Sequence, residues 1–536
     1  MTERPGSPAG PPGPPGPPDP PDPPGPARPP HSAHPAHPAD PAHPAHPADP
    51  AHPADPAPAG PADPAVPADP VRTLLDPAGE LRALASDCVH CGFCLPACPT
   101  YQLWGEEMDS PRGRIHLITQ LLDGAQASPA AAAHLDRCLG CMACLPACPS
   151  GVRYDRLIEA ARGWAGAPGP LPTRSARDRA VRAAIFATFP YPGRLRLLAG
   201  PLRAMQRAGL DRMARRSGLT ARLAPELVAA LTVAPGRASS PGMRVTRGRP
   251  ATASPGMPAG RGRASSPGMP VTRGRPATVV PAQGRRRARV GMLTGCVQRV
   301  FFPQVNAATA RVLSAEGCDV VIPPGQGCCG ALSLHGGRAA EAASFARRAI
   351  AVFERAAVDA VVVNAAGCGS AMKEYGTLLS ADPAWAGRAA ALAAKGRDLS
   401  EYLAELGPAA RRHPLPVTVA YHDACHLAHA QGIVTQPRDL LRAIPGLGLA
   451  EIADGGTCCG SAGIYNLVQP RPAAELGRRK AAAAAATDAS LLVSGNPGCA
   501  MQIASALADR GVRMPVAHIA EVLDASIRAE PPAALL

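Results

Sequence analysis

Hydrophobic and polar positions fall into three kinds of pattern along this 536-residue chain. From residue 288 onward, short apolar runs alternate with longer amphipathic stretches. Arg289-Val-Gly-Met-Leu-Thr294, Asp319-Val-Val-Ile322 and Asp359-Ala-Val-Val-Val-Asn364 read as strands. Helical spacing reaches Leu313 and covers 339–356, and the same order recurs from Val417. Strands separated by helices of about ten or more residues imply βαβ units and a parallel sheet. Residues 71–165 carry a helical pattern around Ile115–Leu122 between two groups of cysteines, and residues 166–233 read as short amphipathic helices of Leu, Ala and Arg. Two stretches lack any such pattern. Residues 1–70 repeat Ala-His-Pro and Ala-Asp-Pro, and proline at every third position favours an extended, solvated backbone with nothing to bury. In residues 234–287, Arg237-Ala-Ser-Ser-Pro-Gly-Met243 recurs as Arg263-Ala-Ser-Ser-Pro-Gly-Met269. Two copies of such a unit build no solenoid core, so this stretch reads as an inserted linker.

The expected architecture is therefore mixed. A disordered Pro/Ala/His-rich tail (1–70) precedes a helical cysteine-bearing domain (71–165) and a helical connector (166–233). An Arg/Pro/Gly-rich insert (234–287) leads to two α/β halves with parallel sheets, 288–412 and 413–536.

Composition changes this picture little. The chain has 66 prolines and 54 glycines, concentrated in the two unpatterned stretches. No apolar run approaches the ~18 residues needed to span a membrane. The start, Met-Thr-Glu-Arg-Pro, has no apolar segment of a secretory signal, so a cytoplasmic protein, at most peripheral on the inner face of the membrane, is expected. Charge is uneven. The net value is +14, yet residues 162–290 hold 25 arginines and only Asp178, Asp211 and Glu226 as acids. No aromatic residue is interleaved after Tyr191 for base stacking, so this reads as a solvated linker and no nucleic-acid partner is expected. The six histidines of the tail (His31, His34, His37, His43, His46, His52) sit where no site is preformed.

The 17 cysteines carry the chemistry. Cys88, Cys91, Cys94 and Cys98 precede Pro99, and Cys138, Cys141, Cys144 and Cys148 precede Pro149. Both runs are C-x2-C-x2-C-x3-C-P, the bacterial ferredoxin spacing, in which the fourth cysteine ligates the other cluster. The expected ligand sets are Cys88, Cys91, Cys94 and Cys148 for one [4Fe-4S] centre, and Cys138, Cys141, Cys144 and Cys98 for a second. Structural zinc sites, the alternative, use two separated C-x2-C pairs. Clusters fully ligated by thiolates leave no open substrate position, so the expected function is one-electron transfer.

A second constellation is duplicated. Cys296, Cys328-Cys329-Gly330 and Cys368 recur as Cys425, Cys458-Cys459-Gly460 and Cys499, with gaps of 31 and 38 residues against 32 and 39. Each half sets cysteines just beyond strands, where parallel sheets build sites. These eight thiols are candidate ligands for a further iron–sulfur cluster or zinc. Cys318 stands alone and reads as core. His422, His426 and His429 surround Cys425. His422 and His426 would share a face if that segment is helical, giving a proton-coupling, quinone-facing or supporting role.

These motifs resemble the glycolate oxidase iron–sulfur subunit family. The resemblance rests on Cys88-Val-His-Cys-Gly-Phe-Cys-Leu-Pro-Ala-Cys-Pro-Thr-Tyr101, Asp109-Ser-Pro-Arg-Gly-Arg-Ile115, His134-Leu-Asp-Arg-Cys138, Cys148-Pro-Ser-Gly-Val-Arg-Tyr154, Ala366-Gly-Cys-Gly369, Lys373-Glu-Tyr-Gly376 and Cys458-Cys-Gly-Ser-Ala-Gly463. It covers most of 72–233 and 286–528. Subunits of anaerobic glycerol-3-phosphate dehydrogenase, lactate-utilisation proteins and heterodisulfide reductases share the framework. The heterodisulfide pattern closes with C-x2-C, but Ala371 and Gln502 stand at its last position here. The resemblance implies a complex in which an FAD-containing subunit oxidises glycolate to glyoxylate. This chain, without flavin and inactive alone, would pass the electrons towards a quinone or another carrier that is neither NAD nor oxygen. The alternative readings are a subunit serving another 2-hydroxy acid or glycerol 3-phosphate, and a reductase acting on a disulfide or quinone at the Cys-Cys-Gly halves.

Overall fold

A computed structural model describes residues 76, 79–164, 170–172, 174–208, 276–453 and 455–536. The proline-rich tail, the duplicated segment and residues 209–233 of the connector lie outside the described residues.

The first domain is helical because its sequence supplies starts and stops at the right intervals. Helices span Glu80–Ser86, Pro99–Trp104, Pro111–Leu122, Pro129–Asp136 and Tyr154–Trp164. Three begin with proline, whose fixed φ and missing N–H suit the first helical position. Ser110 and Ser128 cap two of them by accepting from the Gly113 and Ala131 amides. Ile118, Leu122, Leu135, Leu157 and Ile158 form its core. Beside them the buried Asp109 carboxylate accepts from Arg114 (3.1 Å), His134 Nδ1 (3.0 Å) and Arg137 (3.0 Å). Arg114 also donates to the Thr100 hydroxyl at 3.0 Å and the His134 carbonyl at 2.7 Å.

Two connector helices follow, Ala176–Thr188 and Pro192–Arg207. The remaining strands make two sheets. β1 (Thr278–Val280), β2 (Ala288–Leu293), β3 (Cys318–Ile322), β4 (Ala360–Val363) and β5 (Gly396–Asp398) lie in the order β1-β3-β2-β4-β5. β6 (Thr418–His422), β7 (Gly448–Glu451), β8 (Leu491–Ser494) and β9 (Val516–His518) lie in the order β7-β6-β8-β9. All pairings are parallel except β1 with β3. The halves thus repeat as β2/β6, β3/β7, β4/β8 and β5/β9. The edge strand β1 corrects one expectation. Residues 278–280 fall inside the expected linker insert (234–287), yet Val279-Val280 before Pro281 pairs antiparallel with Val320–Val321. The short strands β5 and β9, Gly396-Arg-Asp398 and Val516-Ala-His518, have too little apolar length to signal themselves in sequence. The predicted helix through Leu313 is two, Val297–Phe301 and Pro303–Ala315, because Pro303 cannot continue the first.

One apolar core runs through both halves, joining Val290, Met292 and Val320 of the first sheet to Val419, Tyr421 and Val493 of the second. Cys318 belongs to this core and is fully buried. The helical domain meets the first half through Arg162, which donates to the His335 carbonyl at 2.7 Å, and through Glu159, 2.6 Å from His335 Nδ1. Burial and the nearby Glu159 raise the Glu374 carboxyl at this junction to about 7.

Each Cys-Cys doublet turns on its glycine. Gly330 and Gly460 have φ of +91° and +87°. A Cβ at Gly460 would lie 2.5 Å from the Ala473 carbonyl oxygen. Gly460→Ala is therefore expected to cost about 2–4 kcal/mol. Gly511→Ala, also at positive φ (+72°) but with open space around it, should cost about 1 kcal/mol. Equal losses in chemical denaturation would contradict the packing argument. Arg114→Leu leaves Asp109 with two of its three side-chain partners, and a loss of roughly 3 kcal/mol is expected by the same measurement. A carboxyl raised in the folded state stabilises below its unfolded pKa, and that contribution is lost as pH rises to its folded value. Glu374→Gln should therefore remove a fall in stability, on the order of 2 kcal/mol, between about pH 4.5 and 7. Parallel wild-type and variant pH–stability profiles would contradict it.

Candidate metal centres

The first four-cysteine loop and the last cysteine of the second loop meet in space. Cys88, Cys91, Cys94 and Cys148 line one cavity, and Cys144 of the second loop lines it too. Cys98 points elsewhere because it caps the helix begun by Pro99 in an extended conformation. Its Sγ lies 3.2 Å from the Thr100 hydroxyl, on the Arg114–Asp109 side. Cys138 receives a hydrogen bond from the Tyr154 hydroxyl (3.5 Å) and one from the Gly140 amide (3.4 Å). Burial would raise its pKa, but the Arg114 and Arg162 guanidinium groups and these donors outweigh it and lower the value. Cys141 and Cys144 lack that support, and burial followed by neighbouring thiols raises both. Eight thiols, one of them with its ionisation eased by two arginines, fit the iron–sulfur clusters that this spacing implies.

The Cys-Cys-Gly halves each gather their four thiols. Cys296 Sγ lies 3.7 Å from Cys328 Sγ, which also accepts from the Gly330 amide at 3.4 Å. Cys329 in turn interacts with Cys368. In the second half the chain of contacts runs Cys425, Cys458, Cys459, Cys499. Neighbouring thiols and burial raise Cys296 and Cys425 far above the ordinary value. A bound cation relieves that repulsion and deprotonates its thiols, so both quartets suit a metal. The strand-end prediction holds for the geometry: Cys296 and Cys425 follow β2 and β6, while Cys368 and Cys499 sit in the first turn of helices after β4 and β8.

The second quartet adjoins the ferredoxin-type loop directly. Leu139, Cys141 and Ala143 share a buried cluster with Cys425, Cys458 and Tyr465. Both quartets also face a cavity of about 510 Å³. Its walls include Cys296, Cys328, Cys329, Cys368, Cys425, Cys459 and Cys499, together with Cys138, Arg162, His335 and His426. Leu195, Leu198, Ala199 and Met205 of the Pro192–Arg207 helix close one side. The His335 and His426 rings lie 4.7 Å apart. Burial and the facing His335 depress His426 to about 3, whereas Glu159 overcomes burial at His335 and raises it.

The histidine expectation needs correction. His422 ends strand β6, and only His426 and His429 lie in the helix Cys425–Gln431. The apolar run Thr418–His422 makes this segment a strand, so His422 and His426 do not share a helical face. His335, Glu159 and Glu374 were missed, because they come together from three distant segments and carry no motif.

Family models agree with this layout. A 4Fe-4S dicluster domain matches residues 84–152, a Cysteine-rich domain matches 290–373 and 419–504, and the glycolate oxidase iron-sulfur subunit linker region matches 177–233. The probable glycolate oxidase iron-sulfur subunit of Bacillus subtilis (strain 168) is 36% identical over 444 residues, 82% of this chain and 93% of that protein. The glycolate oxidase iron-sulfur subunit of Escherichia coli (strain K12) is 33% identical over 466 residues, 84% and 97% respectively. Lactate utilization protein A of Exiguobacterium sp. (strain ATCC BAA-1283 / AT1b) is 30% identical over 242 residues, 45% of this chain and 98% of that protein. With helical cluster domain, linker and paired Cys-Cys-Gly halves all matched in order, the chain belongs to the glycolate oxidase iron–sulfur subunit family.

Proposed function

We propose that this chain is the electron-transfer subunit of a glycolate dehydrogenase complex, taking electrons from an FAD-containing subunit that oxidises glycolate to glyoxylate and delivering them to a quinone. The observation that carries this reading is the contact between the second ferredoxin-type loop at Cys141 and the second-half thiols Cys425 and Cys458, within a chain similar along most of its length to glycolate oxidase subunits. Cys88, Cys91, Cys94 and Cys148 would hold one [4Fe-4S] cluster, and Cys138, Cys141, Cys144 and Cys98 the other. When bound, such clusters supply one-electron transfer, the outlet that a two-electron flavin requires.

The chain's own residues do the rest. Arg114 and Arg162 favour the thiolate of Cys138. Cys91 is exposed, and Val89 and Phe93 beside it are 69% and 67% exposed, an apolar lip suited to the flavoprotein. At the other end the Cys-lined cavity, walled partly by Leu195, Leu198 and Met205, suits a quinone ring. His335, whose pKa Glu159 raises against the effect of burial, stands in that wall and is placed to donate a proton. Among the described residues no helix is long and apolar enough to cross a membrane. Contact with the membrane, from which a quinone would come, would therefore be peripheral as far as these residues go.

The anaerobically purified chain is expected to carry about eight irons and eight acid-labile sulfides and to oxidise no glycolate alone. Cys148→Ser should perturb one EPR centre and Cys98→Ser the other. Identical spectra from the two variants would overturn the ligand assignment. Phe93→Asp should lower turnover about tenfold at limiting flavoprotein while the iron content holds. Glycolate oxidation by the isolated chain would overturn the reading as a whole.

A further inference from the structure

The two Cys-Cys-Gly halves are not equivalent. Their four thiols superpose in spacing, but the residue three places before the first cysteine differs. In the first half it is Leu293, at the end of β2 and 2% exposed, packed in an apolar cluster with Cys296, Cys328 and Cys329. In the second half it is His422, at the end of β6 and 1% exposed. A ring nitrogen of His422 and the sulfurs of Cys459 and Cys499 all lie within 4.8 Å of one another. Among the described residues, this is the one cluster of three or more His, Cys, Asp or Glu donors so tightly gathered.

The surroundings fit ligation. Asn496 Nδ2 lies 3.3 Å from the Cys499 sulfur and orients it. Gln502 occupies the position where the related C-x2-C pattern has its last cysteine, and its amide is committed elsewhere. Its Nε2 donates to the Ala473 carbonyl at 3.0 Å and its Oε1 accepts from Asn466 at 3.1 Å. The second half therefore lacks the fifth sulfur but gains an imidazole at the end of β6. The first half has Ala371, buried and without a donor, and Leu293.

We infer that His422 is a metal ligand, and that the second half binds a mixed thiolate–imidazole centre with Cys459, Cys499 and their neighbours Cys458 and Cys425, which the first half cannot reproduce. Thiolate with imidazole suits zinc or iron, the latter alone or in a cluster. Where imidazole replaces thiolate on cluster iron, the reduction potential rises. A centre so ligated, beside Cys141, is placed to receive electrons from the ferredoxin-type domain if it is iron, and to brace the end of β6, the Cys-Cys doublet and the helix after β8 against one another if it is zinc.

The test uses the full-length protein in its complex, purified anaerobically. Metal content per chain and X-ray absorption at the edge of any metal beyond the eight ferredoxin-type irons are measured for wild type, His422→Ala and His422→Cys. Wild type should carry zinc or extra iron with a nitrogen shell from imidazole. His422→Ala should lose at least about half of that metal while keeping the two cubane EPR signals. His422→Cys, which restores a donor, should retain the metal but lose the nitrogen shell. A wild-type protein with eight irons and no further metal overturns the inference, as does a nitrogen shell unchanged in both variants. Fewer than eight irons in wild type would instead indict the relay reading, so the two failures are separable.

Discussion

A buried thiol beside another buried thiol resists ionisation twice, once from lost hydration and once from its neighbour. Cys141, Cys144, Cys296, Cys328, Cys329, Cys425, Cys458 and Cys459 stand in such company, whereas Cys318 is an ordinary core residue. The fold answers the repulsion unevenly. Near Cys138 it provides permanent positive charge: Arg114, held by Asp109 and Thr100, and Arg162, which also clamps the first half through the His335 carbonyl. At the Cys-Cys-Gly quartets burial and neighbouring thiols dominate and leave Cys296, Cys329, Cys425 and Cys459 raised, even though Arg299 lies near Cys296. Backbone amides such as that of Gly330 offset this only in part, and a bound metal would supply the positive charge that the thiols need.

The same arginines tie stability to function. Arg162 reaches the Cys138 carbonyl and the His335 carbonyl, so the residue that tunes a ferredoxin-type thiol also joins the helical domain to the α/β halves. The Glu159–His335 pair and the raised Glu374 lie along that seam. Domain docking and the electrostatics of the cysteine loops are therefore one problem, solved by the helix Tyr154–Trp164.

Much of this was legible in the sequence where a local rule governs. The 339–356 helix, the strands at β3 and β4, and the two ferredoxin-type spacings follow from periodicity and ligand geometry over a few residues. The duplicated Cys-Cys-Gly register was legible because the repeat is nearly constant in length. Features set by distant segments were not. β1 depends on β3 for its existence, and three residues before a proline give no strand signal of their own. The His335–Glu159 contact spans 176 residues, and the His422 cluster unites the end of β6, the Cys-Cys doublet and the helix after β8. His422 was singled out, but on a helical premise that the apolar run Thr418–His422 overrules. Only the turn from strand to helix at Ala424 shows that it faces Cys459 and Cys499 rather than His426.

The central claim, that electrons from glycolate pass through this chain's cysteine-bound clusters, is tested most directly by EPR of the anaerobic complex, frozen before and during turnover with glycolate. The account predicts reduced [4Fe-4S] signals that appear on adding glycolate and vanish when the acceptor is supplied. Glycolate consumed at full rate with no reduced cluster signal at any time would contradict it.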